Sequence, residues 1–175
     1  MKIALDIDGI LANFYKHFSD KFNLPYKPVS EYGLGYPNSW WLEKFELLDN
    51  NFWETIPVLN SYKEIKFDFD IYLTAMPQKF KNARISWLSK NNFPDKPLHI
   101  SEQKVKFCLE NNINVLIDDK LETVNQAASK NIFPIQYIPP YYTDQMISKN
   151  PNVFKTKNLS EIPKILNYIK SQLPK

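Results

Sequence analysis

Residues 1–14 read MKIALDIDGILANF. Ile3 to Ile7 is a short apolar, partly β-branched run that stops at Asp8-Gly9, which predicts a buried strand ending in a turn. Two carboxylates, Asp6 and Asp8, stand two residues apart where that strand ends. Working outward, three further runs read as strands: Asp68 to Leu73 ending at Thr74, Asn114 to Ile117 ending at Asp118-Asp119, and Ile132 to Ile138. Pro134 places the last of these near a sheet edge. Helical spacing is expected over Lys79–Asn91, with Phe80, Ala83, Ile85, Trp87 and Leu88 on one side, and over Leu159–Leu173. Ser101–Glu110 is expected as a helix with Ser101 as its N-cap, and Leu121–Ser129 as another. Strands alternating with helices imply an α/β fold built on a parallel sheet.

One segment breaks the alternation. Residues 14–56 are crowded with aromatics, among them Phe14, Phe18, Tyr36, Trp40, Trp41, Phe45, Phe52 and Trp53, with prolines between. They predict a small helical cap inserted between the first two strands. The remaining residues, 1–13 and 57–175, form the α/β core.

The acids then fall in one place. In open parallel sheets the ligand crevice lies beyond the carboxyl ends of the strands, and Asp6, Asp8, Thr74, Asp118 and Asp119 all sit at such ends. Two like charges about 4 Å apart repel by roughly 4 kcal/mol at an effective dielectric near 20. Four clustered carboxylates therefore either take up protons or share a cation. Oxygen ligands without histidine or thiolate suit Mg2+.

The pattern resembles the haloacid dehalogenase (HAD) superfamily. Asp6-Ile7-Asp8-Gly9 matches its DxDG motif, Thr74 its strand-end Ser or Thr, Lys104 its helix-start lysine and Asp118-Asp119 its acidic pair. Within it, DIDGILANF, FWETIPVLNSYKEI (52–65), YLTAMP (72–77) and VLIDDKLETV (115–124) resemble the 5'(3')-deoxyribonucleotidases. The resemblance implies a Rossmann-like parallel sheet flanked by helices, with the cap after the first strand. It also implies roles. Asp6 is the nucleophile, and Asp8 the general acid and base. Asp6, the Asp8 backbone carbonyl and Asp118 hold Mg2+. Asp119 holds a metal-bound water or orients Lys104. Thr74, the Ala75 amide, Lys104 and the turn at Gly9 receive the phosphoryl group. Dehalogenases lack the second Asp, so Asp8 favours phosphate-ester hydrolysis, with (deoxy)nucleoside monophosphates as the implied substrates. Other phosphate esters, including sugar phosphates and polynucleotide 3'-phosphates, remain alternatives, as does a non-catalytic phosphoryl-binding protein. Lys104 is preferred to Lys106 because it falls in the first turn after Ser101.

Bulk properties agree. The 175 residues suit one compact domain with a small insertion. Net charge is +3, carried by lysine, since Arg84 is the only arginine. Nucleic-acid readers use clustered arginines, so a polymer partner is not expected, while the resemblance implies a small phosphorylated substrate. One cysteine, Cys108, allows no internal disulfide and fits a reducing compartment. Neither a signal peptide nor a membrane span is expected, which points to a cytoplasmic protein. A homodimer is compatible with the sequence.

Several residues have plainer expectations. Phe18, Tyr36, Trp40 and Trp41 are candidates for stacking on a base, although a cap core explains each more simply. Arg84 is expected in a helix-surface ion pair, Cys108 in the core, and His17 and His99 in surface or structural roles. Asp119 is a candidate cap for the helix beginning at Leu121, and Pro139–Tyr142 is expected to be a stiff loop.

Overall fold

Backbone pairing puts β1 (Ile3–Leu5) near the middle of a six-stranded, wholly parallel sheet. The computed structural model describes residues 1–172; Leu173, in the last expected helix, lies outside the described residues. The other strands are β2 (Ile71–Thr74), β3 (Leu98–Ile100), β4 (Val115–Asp118), β5 (Phe133–Tyr137) and β6 (Phe154–Thr156), in the order β3-β2-β1-β4-β5-β6. The order reverses between β1 and β4, and that is where a doubly wound sheet opens its crevice. Strands covered on both faces need no polar alternation, and β1, β2 and β4 are buried along their full lengths.

The strands run shorter than the sequence suggests. After Leu5, the Asp6 amide donates to the Ile117 carbonyl at 2.9 Å, and the chain then coils. Three amides, from Ile10, Leu11 and Ala12, converge on the Ile7 carbonyl. Asp70 is not part of β2, yet its carboxylate accepts the Ile3 amide at 2.7 Å. Strands β3 and β6 were not expected. Each has three residues with a polar centre, His99 or Lys155, too little for a period to show.

Seven helices are described: α1 (Phe14–Lys21), α2 (Asn38–Glu46), α3 (Asn50–Glu54), α4 (Lys81–Lys90), α5 (Lys104–Glu110), α6 (Leu121–Ala128) and α7 (Ile162–Gln172). Helix α5 starts three residues later than expected. Ser101 is not its cap; its hydroxyl accepts the Gln103 amide in a turn before the helix. On α4 the buried set is Ala83, Arg84, Trp87 and Leu88, and Ile85 is exposed. Arg84 has taken the inward place expected for Ile85.

The insertion holds α1, α2 and α3 and adds no strand. Its aromatics belong to the same hydrophobic cluster as one face of the sheet, where Phe18, Phe52 and Trp53 join Leu5, Ile7, Tyr72 and Trp87. The Trp87 indole donates to the Ile56 carbonyl at 2.6 Å, tying α4 to the end of the insertion. The opposite face is a smaller cluster of Ala4, Leu73, Leu116, Val105, Cys108 and Ala127. Burial pushes the Cys108 thiol up to about 12, so it is an inert core residue as expected.

Phe18 is fully buried. Its ring lies 4.6 Å from Trp41 and 4.7 Å from Phe22, centroid to centroid. That corrects its expected candidacy for base stacking, because no face of the ring is open. Phe18→Ala should lower unfolding stability by about 3–5 kcal/mol, read from urea denaturation. A loss under about 1 kcal/mol would mean that the insertion is loosely packed.

Candidate active site

Strands β1 and β4 are neighbours in register, with Leu5 opposite Ile117. The residues just past their ends are therefore neighbours too. Asp6, Asp118 and Asp119 meet there, each offering an oxygen within 4.8 Å of the others. Asp6 is 3% exposed and Asp118 is fully buried.

Lys104, the first residue of α5, reaches into this group. Its Nζ lies 2.5 Å from Asp6 Oδ2 and 2.7 Å from Asp118 Oδ2. Lys106 is exposed and 3.9 Å from Glu110, so of the two lysines it is Lys104 that the structure brings to the acids. The remaining oxygens are also held. Asp6 Oδ1 accepts the Ile7 amide at 2.7 Å, and Asp118 Oδ1 accepts the Lys120 amide at 2.9 Å. Asp118, rather than Asp119, thus receives the amide that precedes α6.

One ammonium cannot balance three buried carboxylates. Burial by itself would lower Lys104, but Asp118 and Asp6 more than offset that and keep it charged. Burial, reinforced by Asp118, Asp119 and Asp8, holds Asp6 well above the usual carboxylate range despite Lys104. Burial and then Asp118 push Asp119 up to about 7. A divalent cation would relieve this imbalance, and a set of three carboxylates fits a hard, oxygen-seeking ion. Asp119 stands as close as the other two, so it fits a direct ligand as well as the outer role expected for it. It does not orient Lys104 by contact; its Oδ2 accepts the Tyr142 hydroxyl at 2.6 Å.

Gly9 has φ +79°, where other residues are strained. A Cβ there would run into the Asp119 carboxylate, approaching its Cγ to 2.5 Å. Gly9, beside Asp8, thus makes room for Asp119 beyond the end of β4. The loop is fixed from behind by buried Asn60, whose amide donates to the Ile10 carbonyl at 2.5 Å.

Asp8 points elsewhere. Its two oxygens lie 2.7 and 3.0 Å from Arg84 Nη2, and Oδ2 also accepts the Thr74 hydroxyl at 3.3 Å. Arg84 is fully buried, so the expected helix-surface ion pair is corrected to an internal one. Thr74 is buried at the end of β2, and Ala75 follows it, exposed. Tyr36 is exposed and stacked on half-buried Trp40, with centroids 4.1 Å apart and planes at 15°. Half-buried Trp41 lies against Phe18. His17 and His99 are partly buried beside Phe52 and Phe107, away from the acids.

Three contributors were not foreseen. Tyr142, in the stretch expected as a stiff loop, reaches Asp119, and Thr143 next to it donates to the Val29 carbonyl. The loop after β5 is thereby strapped to the insertion. Gln136, fully buried in β5, donates to the carbonyls of Asp119 and Met146 and fixes the backbone behind the acidic pair. A lone polar residue in an apolar strand was the available signal. Arg84, as the single arginine, was the other.

No protein-family model matches the sequence, and no curated protein does either. Solved structures share the fold. One is a conserved haloacid dehalogenase-like protein of unknown function from Agrobacterium tumefaciens, with a TM-score of 0.66 at 9% identity, covering 96% of this chain and 98% of that one. Another is an L-2-haloacid dehalogenase, with a TM-score of 0.59 at 13% identity over 94% and 98% of the two chains. A third is a haloacid dehalogenase-like family hydrolase from Xanthomonas campestris, with a TM-score of 0.59 at 15% identity over 98% and 96%. At such identities the likeness speaks to the fold, which is HAD-like.

The raised Asp119 carboxyl has a measurable sign. Between about pH 4 and 7 the folded, metal-free protein retains a proton that the unfolded chain has released, so stability falls as pH rises through that window. Asp119→Asn removes this contribution. The melting temperature of the variant minus that of wild type should grow from pH 4 to 7 and then level off. Saturating Mg2+ should shrink the difference. A gap that is constant across the window would contradict the arrangement.

Proposed function

We propose that this chain is a Mg2+-dependent phosphomonoester hydrolase that uses Asp6 as a covalent nucleophile. The observation that carries the reading is Lys104 bridging Asp6 and Asp118 at the switch point of the sheet. That arrangement holds the buried Asp6 carboxylate at the switch point between β1 and β4, with one oxygen fixed by the Ile7 amide. Asp6 attacks phosphorus, the ester oxygen leaves with a proton from Asp8, and an aspartyl-phosphate forms. Asp8 then takes a proton from water as it attacks the same phosphorus, releasing phosphate and restoring Asp6. Such proton transfer contributes roughly 10²–10⁴-fold. Lys104 and the Ala75 amide stabilise charge on the transferring oxygens. Asp6, Asp118 and Asp119, with the Asp8 backbone carbonyl, would hold the metal ion. Bound there, Mg2+ supplies positive charge against the phosphoryl oxygens.

Asp8 separates this reading from dehalogenation, which needs no proton donor two residues after the nucleophile. The substrate class follows from two supports. One is the resemblance of residues 52–65 and 72–77 to the deoxyribonucleotidases. The other is a cavity of about 240 Å³ in the insertion, lined by Tyr15, Tyr36, Pro25 and Pro28 and also by the charged Lys27 and Glu31. Aromatic and proline walls suit a flat heterocycle. Tyr15 on the cavity wall packs on Tyr141, whose neighbour Tyr142 holds Asp119, so a chain of contacts links the cavity to the acidic site without any acid of that site lining it. We therefore assign (deoxy)nucleoside monophosphates as substrates, with the insertion as a cap over the crevice.

Purified protein with Mg2+ should release phosphate from deoxynucleoside monophosphates faster than from sugar phosphates or 3'-phosphorylated oligonucleotides. Asp6→Asn and excess EDTA should each reduce release to background. Equal release by wild type and Asp6→Asn would overturn the mechanism, and a preference for sugar phosphates would overturn the substrate assignment alone.

A further inference from the structure

The insertion and α4 together bury one guanidinium. Arg84 is wholly shielded from solvent, whereas the Asp8 side chain beside it is 20% exposed. Its guanidinium carbon lies 5.1 Å from the Trp53 ring centroid and 5.4 Å from that of Trp87, close enough for cation–π attraction to both. The Trp87 ring is pinned by its bond to Ile56, and the Trp53 ring stacks on Phe80 at 5.7 Å. Both rings are therefore packed against fixed neighbours. From between them, Nη2 reaches both oxygens of Asp8, and Thr74 supplies a further contact to Oδ2.

We propose that Arg84 is a positioning residue for Asp8. It fixes the orientation of the carboxylate that moves protons during phosphate-ester hydrolysis and does not itself touch the substrate. Depth is the main argument. Asp8 stands between Arg84 and solvent, so a phosphoryl group entering the crevice meets Asp8 first. Chemistry agrees. A planar guanidinium can lie between two indoles and still present a nitrogen to both oxygens, and an ammonium on a flexible stem cannot do so with the same fixity. Nε and Nη1 have no hydrogen-bond partner among the described residues. The rings and Asp8 alone hold the group, so its orientation depends on Asp8 as much as the reverse. A buried charge pair of this kind becomes unfavourable when either member is removed.

The kinetic consequence rests on the phosphatase reading, and a second readout does not. Steady-state hydrolysis of p-nitrophenyl phosphate with Mg2+ would be compared for wild type, Arg84→Met, Arg84→Lys, Asp8→Asn and the Asp8→Asn/Arg84→Met double variant, each checked for folding by thermal melts. Arg84→Met should lower kcat by about 10²-fold, near the lower end of acid–base contributions, with KM within about twofold. Arg84→Lys should fall between wild type and Arg84→Met. In the Asp8→Asn background the Met substitution should cost less than about threefold, because residues acting as a unit are non-additive. A raised KM with kcat preserved, or a full loss in the Asp8→Asn background, would overturn the proposal and place Arg84 on the substrate. If Arg84→Met does not fold, Arg84→Lys carries the same cycle.

The single arginine gives a second arm. In 15N-labelled protein one Nε–Hε resonance reports Arg84, and it should be slow to exchange with solvent in wild type and shift or exchange faster in Asp8→Asn. A resonance indifferent to Asp8→Asn would overturn the positioning role. This arm stands if wild type hydrolyses no ester, in which case the functional reading has failed and the Arg84–Asp8 pairing is still decided.

Discussion

The Lys104 ammonium between Asp6 and Asp118 is the contact on which the site depends. It joins three elements, β1, β4 and the start of α5, at the one place where the strand order reverses. Asp6 and Asp118 are buried because they cap central strands, and a buried carboxylate is tolerated only when paired or protonated. Lys104 supplies one positive charge for three acids within 4.8 Å of one another. Burial, and after it the surplus negative charge, keeps Asp6 and Asp119 inclined to hold protons, and that surplus is the physical reason a divalent cation suits the site. The glycine at position 9 belongs to the same logic, since a side chain there would displace Asp119.

Asp8 is handled by separate means. It has its own cation, Arg84, fed from the opposite side of the crevice by α4 and clamped by Trp53 of the insertion. The site thus has two sets of direct contacts: an inner one of Asp6, Asp118, Asp119 and Lys104, and a flanking one of Asp8, Arg84 and Thr74. The insertion is connected to both. Trp53 touches the flanking pair, and the strap between Val29 and Thr143 leads through Tyr142 to Asp119. Its aromatic cluster is continuous with the sheet's own core, so the insertion shares the interior of the α/β core.

Much of this was legible because parallel sheets place strand ends together. The positions of Asp6 and Asp118 follow once β1 and β4 are recognised as parallel strands of one sheet, and that of Lys104 from its place at the start of the helix that precedes β4. What escaped had weak local signals. Strands β3 and β6 are three residues long, too short for periodicity. Arg84 reads as a surface residue in the sequence because charge usually means exposure, and only the three-dimensional approach of Asp8 and two tryptophans explains its burial. Tyr142 lies 23 residues from Asp119 in a loop without periodic pattern, so its contact could not be read from spacing. Phe18 looked like any other aromatic of the insertion until its neighbours closed around it.

The central claim is that the Asp6 carboxylate itself becomes phosphorylated. It can be tested by mixing the protein with Mg2+ and 32P-labelled deoxynucleoside monophosphate, quenching in acid within milliseconds and mapping the label. The account predicts a transient protein-bound phosphate that hydroxylamine removes, that maps to the peptide containing Asp6 and that Asp6→Asn abolishes. Turnover with no protein-bound phosphate at any time, or label on a different residue, would contradict it.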